Sequence, residues 1–194
     1  MTQPAVPAES LPAAGPQPEL WKPLVFRAAV ALAFGALTIF WATPSVAGMG
    51  IAGGVYLAAT GILLLKLVTA GSLAGQRTGR LLSAGASAMI GAGVAAVAFQ
   101  GDQLFAIVGA VGLGVLGVTE IAAGILGKGH VLARDWLVSG VIALGTAALL
   151  PFFIPLGAHA LLGVAGGGAI LAGVLWMLSG LTIRHEAAGA ARRP

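Results

Sequence analysis

Long apolar runs alternate with short polar or basic segments along most of this chain. Six such runs occur, at Leu24–Trp41, Val46–Leu67, Leu81–Phe99, Leu104–Leu126, Asp135–Phe153 and Ala158–Ile183. A helix needs about 20 apolar residues to cross roughly 30 Å of hydrocarbon, and backbone groups in lipid must be hydrogen-bonded within the helix itself. The pattern therefore predicts an all-α integral membrane bundle of six transmembrane helices, built as three helical hairpins at residues 24–67, 81–126 and 135–183.

The composition indicates that the solvent of this chain is lipid rather than water. Of the 194 residues, 58% are hydrophobic and 8% are charged, and the mean hydropathy is +1.00. A soluble domain carries about 25% charged residues. We expect the lipid bilayer to be the main partner, and we expect no nucleic-acid binding because the formal net charge is only +4. Since the chain has no cysteine, disulfides and thiol catalysis are excluded.

The basic residues alternate with the apolar runs in a regular way. The connections at residues 43–45, 100–103 and 154–157 contain no Lys or Arg, and all ten Lys and Arg residues fall on the other side of a six-helix arrangement. The positive-inside rule places that side in the cytoplasm, with both termini there. The chain then divides into a disordered cytoplasmic tail at 1–22, a transmembrane domain at 23–184 and a second cytoplasmic tail at 185–194.

The 31 glycines follow a pattern that predicts close helix packing. In the second run of each hairpin two glycines lie seven residues apart, and these pairs are Gly54 with Gly61, Gly117 with Gly124, and Gly173 with Gly180. The first runs share a central glycine, as at Gly35 and Gly145. A seven-residue spacing puts both residues on one helix face, where small side chains let backbones approach. We interpret the pattern as three tandem copies of a two-helix unit, forming either a monomeric bundle or a face for a homo-oligomer.

The four tryptophans lie where a membrane-interface belt would place them. Trp21 and Trp136 fall at the predicted cytoplasmic edge, Trp41 falls at the outer edge, and Trp176 falls within two turns of the inner edge. Amphipathic indole rings are enriched at both membrane–water interfaces. We therefore expect all four to act as interface anchors.

Glu120 is the acidic residue that lies well inside a predicted span, about six residues from the inner end of the fourth run. An ionisable group at that depth must be protonated, paired or in contact with a wet cavity. One interpretation is a proton- or cation-binding site, with Tyr56 as a hydrogen-bond partner. The other is a structural ion pair with Lys66 or Arg134, or a side chain that reaches the inner headgroups.

Few other residues could carry chemistry. His159 lies at the predicted outer face and titrates near neutral pH, so it is either an acid sensor or a solvated histidine near a loop. The chain contains no metalloprotease motif, nucleophile elbow or phosphate-binding glycine loop in a strand–helix context. We expect a protein without enzymatic activity, cofactor or metal site.

The segment from Trp136 to Gly145, running on to Pro151, resembles the HdeD family of small bacterial membrane proteins. Arg27, Gly35, Pro44 and Gly61 look like the same recurring unit in the first hairpin. The resemblance covers Trp21–Ile183. It implies a bundle of six membrane helices in the bacterial inner membrane and a role in acid resistance, with no catalytic residues. The chain departs from the family at Ala28, where a glycine is common, and in the middle hairpin, which lacks the outer proline.

Three functions follow as alternatives. The first is a non-enzymatic inner-membrane protein of HdeD type that supports acid or stress resistance. The second is an accessory or scaffold subunit whose glycine faces pack onto a larger membrane complex. The third is a proton-coupled transporter or channel that uses Glu120.

Overall fold

The computed structural model describes residues 20–190, and all regular structure in this part of the chain is helical. The elements in order are α1 (Trp21–Phe40), α2 (Val46–Ala70), α3 (Arg77–Ala98), α4 (Asp102–Leu126), α5 (Ala133–Leu149), the 3-10 helix η1 (Leu150–Leu156) and α6 (Gly157–Ala190). The predicted all-α class is confirmed. The predictions for residues 1–19 and 191–194 lie outside the described residues.

The number of membrane-spanning segments differs from the predicted six. Five helical segments are long and apolar enough to cross a membrane, and the last of them is the continuous run Ala133–Gly189, of 57 residues. α5 alone has 17 residues, or about 26 Å of helix, which falls short of the roughly 30 Å of a bilayer core. The prediction of six separate transmembrane helices is therefore wrong.

The difference arises at the proline-containing segment Leu150–Leu156. The sequence predicted a tight turn there, at residues 154–157. Pro151 occupies one of the first two positions of the 3-10 helix η1, where a missing N–H removes no hydrogen bond. Helical structure therefore continues from α5 through η1 into α6. The segment nevertheless doubles back, because Thr146 of α5 lies against Gly168 of α6, while Asp135 near the start of α5 lines the same cavity as Ser179 near the end of α6.

The helices form a closed ring in which inner and outer positions alternate. α2, α4 and α6 contact one another at the centre, whereas α1, α3 and α5 each fill the groove between two of them. α1 packs most extensively against α6, which closes the ring between the first and last helices of the chain. α5 and α6 share a much smaller interface than α4 and α5 do.

The paired glycines form three contacts between inner and outer helices, which we call the glycine seams. They join α2 to α3, α4 to α5, and α6 to α1. A Cβ built at Gly54 would lie 2.6 Å from the carbonyl oxygen of Gly93, and one built at Gly117 would lie 2.7 Å from that of Gly140. Real Cβ atoms do not approach an oxygen so closely, so glycine is what allows these backbones to touch.

The remaining predicted packing glycines lie as follows. Gly61 faces Ala86, Gly124 faces Ala133, Gly173 faces Leu32, and Gly180 faces Val25 and Leu24, so each belongs to a seam. Gly35 packs against Ile170 of α6. Gly145, by contrast, is exposed and has no atom within 4 Å of a built Cβ. The central glycines of the outer helices are therefore not equivalent to one another.

The exposed basic side chains of the described residues gather at one end of the bundle. Lys22 and Lys66 border one groove there, Arg77 and Arg80 border another, and the guanidinium of Arg184 lies 5.2 Å from the ring centre of Trp21. The helices extend beyond the predicted domain at this end, since α1 begins at Trp21 and α6 runs to Ala190. Residues 21–22 and 185–190, which the sequence assigned to the two tails, are helical.

Candidate functional site

The centre of the bundle contains an ion pair between α1 and α4. Nη2 of Arg27 donates a hydrogen bond to Oε1 of Glu120 at 2.6 Å, and the two side chains are 4% and 0% exposed. Among residues 20–190 this is the one ion pair present. Buried charges are tolerated when an opposite charge and hydrogen bonds compensate them, so each residue explains the presence of the other.

Helical periodicity brings the two charges together. The buried face of α1 repeats every three or four residues and consists of Leu24, Arg27, Ala28, Ala31, Phe34, Gly35 and Thr38. Glu120 follows Leu113, Leu116 and Gly117 on the buried face of α4. Arg27 lies six residues after the start of α1 and Glu120 six residues before the end of α4, which is about 9 Å of helix in each case. Since both of these helix ends lie at the basic end of the bundle, the two charges occupy the same depth.

Trp176 of α6 completes the surroundings of the arginine. The guanidinium carbon of Arg27 lies 4.6 Å from the centre of the Trp176 ring, and the tryptophan is fully buried. A cation over an indole face at this distance is attracted by the negative face of the ring. Arg27 thus joins α1 to α4 through a carboxylate and to α6 through an aromatic ring.

α2 adds two polar side chains to the same region. Tyr56 and Thr60 lie one turn apart and are 7% and 4% exposed. The ring of Tyr56 stacks on that of Phe34, with centroids 4.3 Å apart and planes 3° from parallel. Both residues of α2 line a central cavity of about 20 Å³, together with Arg27, Trp176 and parts of α4 and α5.

Several buried polar atoms at this centre have no hydrogen-bond partner. They are Nη1 of Arg27, Oγ1 of Thr60, Oε2 of Glu120 and Nε1 of Trp176. The Arg27–Glu120 contact therefore uses one nitrogen and one oxygen, whereas a bidentate pair would use two of each. Buried polar groups are rarely left without partners, and a cavity of this size is large enough for one water-sized molecule.

Two of the four predicted interface anchors are corrected by the structure. Trp136 and Trp176 are fully buried inside the bundle. Trp176 supports Arg27, and Trp136 stacks on His130 with ring centroids 4.7 Å apart. Contacts within the bundle hold both rings. Trp21 and Trp41 are partly exposed, as the anchor interpretation requires.

The other predicted site residues fall into two groups. Tyr56 lies beside the Glu120 pair at the central cavity, whereas His159 is exposed in the first turn of α6, at the end of the bundle away from the basic residues. Glu120 is paired with Arg27, and neither Lys66 nor Arg134 lies within ion-pair distance of it. The sequence thus identified the acid but assigned the wrong candidate partners.

His130 is a further titratable residue, half-buried, that sequence reasoning did not single out. It lies in the connection between α4 and α5, where Nδ1 accepts a hydrogen bond from the backbone N–H of Leu132 at 3.1 Å. Burial lowers the pKa of His130 below its usual value of 6.5. The imidazole therefore resists protonation and helps to fix the start of α5.

Arg27 is the residue of the buried ion pair that sequence reasoning placed incorrectly, among the basic residues of the cytoplasmic side. Two signals could have found it. It lies on the same helical face as Leu24 and Ala31, and its distance from one end of its helix matches that of Glu120. In a chain with so few charges, an acid and a base at matching depths form a natural pair.

These features define a helical, multi-pass membrane protein with one buried polar centre. Comparison of the chain with protein-family models, curated proteins and solved structures gives no match.

Proposed function

We propose that this chain is a non-catalytic protein of the bacterial cytoplasmic membrane, of HdeD type, that supports survival under acid or related stress. The stress role comes from the resemblance of Trp136–Gly145 to the HdeD family, and the observation that supports a non-catalytic protein is the compensated ion pair at the centre of the bundle. Glu120 is already compensated by Arg27, and the adjoining cavity of about 20 Å³ is too small for an organic substrate. A centre of this kind suits a protein whose buried charges hold helices together.

The distribution of charge supports the proposed orientation. The exposed basic side chains of the described residues lie at one end of the bundle. Under the positive-inside rule this end faces the cytoplasm.

Attaching a reporter enzyme at residue 130 or residue 101 tests this orientation. We expect residue 130 on the cytoplasmic side and residue 101 on the opposite side.

A deletion strain challenged with acid tests the proposed role. Wild type should restore survival, and so should the double variant Arg27→Leu/Glu120→Leu, because it replaces the ion pair by apolar side chains without leaving a charge unpaired. Glu120→Leu alone should restore survival poorly, with a matching loss of protein from the membrane. Unchanged acid survival after deletion would contradict the stress role. Failure of a well-expressed double variant would show that the charges themselves are needed.

A second candidate function is that of a subunit in a homo-oligomer or a larger membrane complex. The observation that favours it is an exposed pair of glycines on α6, Gly163 and Gly167, around which a built Cβ would meet no atom. Helices in lipid associate through such small-residue faces. Gly167→Leu should reduce the mass of the complex in mild detergent, whereas Gly189→Leu, in the last turn of α6, should leave it unchanged. An equal mass for both variants would contradict association through this face.

A further inference from the structure

The guanidinium of Arg27 has unused hydrogen-bonding capacity inside the bundle. Its Nη2 bonds Glu120, while its Nη1 is buried without a partner. Arg27 lines the central cavity, and the residue as a whole is 3% exposed. A positive group with a free donor therefore borders an enclosed space.

Two further groups without partners border the same space. Nε1 of Trp176 is a donor only, and Oγ1 of Thr60 can donate through its hydroxyl hydrogen. Both residues line the cavity and are 0% and 4% exposed. Tyr56 belongs to the same lining. Donors on three different helices thus surround a space of about 20 Å³, comparable with what one water molecule needs.

A site rich in donors and carrying an arginine selects a small hydrogen-bond acceptor with negative charge. Glu120 already balances Arg27, so a second anion would leave the site with an uncompensated negative charge, which a low-dielectric interior disfavours strongly. Protonation of Glu120 would restore neutrality. Arg27 from α1 is paired with Glu120, and Tyr56 from α2 lies close enough to feel both charges. Asp135 of α5 lines a separate cavity near the basic end.

We propose that the central cavity binds one monovalent anion of halide size against Arg27, Trp176 and Thr60, and that Glu120 takes up one proton as the anion binds. The anion replaces the carboxylate as the counter-charge of Arg27, and the proton comes from the surrounding water. Acid therefore favours anion binding. The inference rests on the central cavity and does not depend on the proposed stress role.

The test uses the purified full-length protein in lipid nanodiscs. Binding of fluoride and chloride, as their sodium salts, is measured by calorimetry and by the shift of the thermal unfolding midpoint, against sodium gluconate at equal ionic strength. Uptake of one proton with each anion predicts a rise in affinity of up to about tenfold per pH unit of acidification. If halide and gluconate had equal effects on the binding signal and on the unfolding midpoint, the proposal would be overturned, and water would be the occupant of the cavity.

Variants separate this site from a general salt effect. Glu120→Gln should bind the halide more tightly than wild type and without pH dependence, because Arg27 then lacks its internal counter-charge. Trp176→Phe and Thr60→Val keep the ion pair and should each weaken halide binding about tenfold, through loss of a hydrogen bond to a charged group. His159→Gln, at the far end of α6, is the matched control and should bind like wild type.

Among the variants, either of two further results would overturn the proposal. One is unchanged halide affinity in both Trp176→Phe and Thr60→Val. The other is an undiminished pH dependence in a folded Glu120→Gln variant. If Glu120→Gln does not fold, the two cavity variants decide the question, because neither of them leaves a buried charge without its partner.

Discussion

The glycine seams and the Arg27–Glu120 centre show two different ways of joining helices in lipid. The seams repeat three times around the ring and use backbone contact at glycines. The polar centre occurs once and uses a charge pair and an aromatic ring. The comparison teaches that the repeated frame supplies the shape of the bundle, whereas the residues that break the repeat supply its chemistry.

The polar centre and the glycine seams are related by their positions along the inner helices α2, α4 and α6. Leu57, Glu120 and Trp176 each lie three residues after the first glycine of their seam, on α2, α4 and α6. All three are buried. The same position of the repeat is therefore occupied by an aliphatic side chain on α2, a carboxylate on α4 and an indole on α6. Arg27 from α1 contacts the second and the third of these.

The largest expected effect comes from converting the polar position into its apolar equivalent. Glu120→Leu copies Leu57 but leaves Arg27 buried and unpaired, which should lower the free energy of unfolding by about 3–5 kcal/mol. Arg27→Leu/Glu120→Leu should recover most of that loss, since well-packed apolar replacements of buried ion pairs are often neutral. Reversible unfolding in mixed micelles measures both variants. A double variant as unstable as the single one would contradict the ion-pair explanation.

A seam glycine and an exposed glycine should respond in opposite directions to alanine. Gly117→Ala forces a Cβ toward the backbone of Gly140, and we expect a loss of about 1–3 kcal/mol from overpacking. Gly145→Ala meets open space and should stabilise its helix by up to about 1 kcal/mol through higher helix propensity. The same unfolding measurement compares the two. Equal losses would show that helix flexibility, and not seam contact, explains the glycines.

Replacing tryptophans should show a smaller difference between the interior and the edge. Trp176→Phe keeps an aromatic ring beneath Arg27 but weakens the cation–π contact, and we expect a loss of about 1 kcal/mol. Trp21→Phe, at the partly exposed basic end, should change stability by less than about 0.5 kcal/mol. Similar losses for both would mean that Arg27 gains little from the indole of Trp176.

The smallest expected effect is a pH dependence of stability that arises at His130, outside both the glycine seams and the Arg27–Glu120 centre. Because burial lowers the pKa of His130 in the folded state, the unfolded chain binds a proton more readily, so stability should fall as the pH drops below about 6.5 and then level off at lower pH. His130→Gln should remove this contribution. Unfolding of the two proteins at pH 7.5, 6.0 and 5.0 checks the sign. A wild type that gained stability over this range relative to His130→Gln would contradict it.

Much of the frame could be predicted from the sequence, because helix length, hydropathy and glycine spacing are local properties. The seven-residue spacing alone is enough to recognise Gly54, Gly117 and Gly173 as equivalent positions. The count of spans could not be predicted correctly, because Pro151 predicts a break where a 3-10 helix continues the chain. The partner of Glu120 was missed since it depends on which helices meet in the closed ring, and the sequence offered Lys66 and Arg134 as equally reasonable candidates.

The distance along the chain between the two buried charges has a consequence for how the protein is made. Arg27 and Glu120 are 93 residues apart, so at roughly 5–20 residues per second the ribosome needs about 5–20 s to reach the second after the first. Throughout that interval the nascent first helix carries an arginine with no counter-charge. Its position about two turns from the helix end lets the long side chain reach the lipid headgroups during the wait. The contact between Arg27 and Glu120 can therefore form only after the fourth helix has been synthesised.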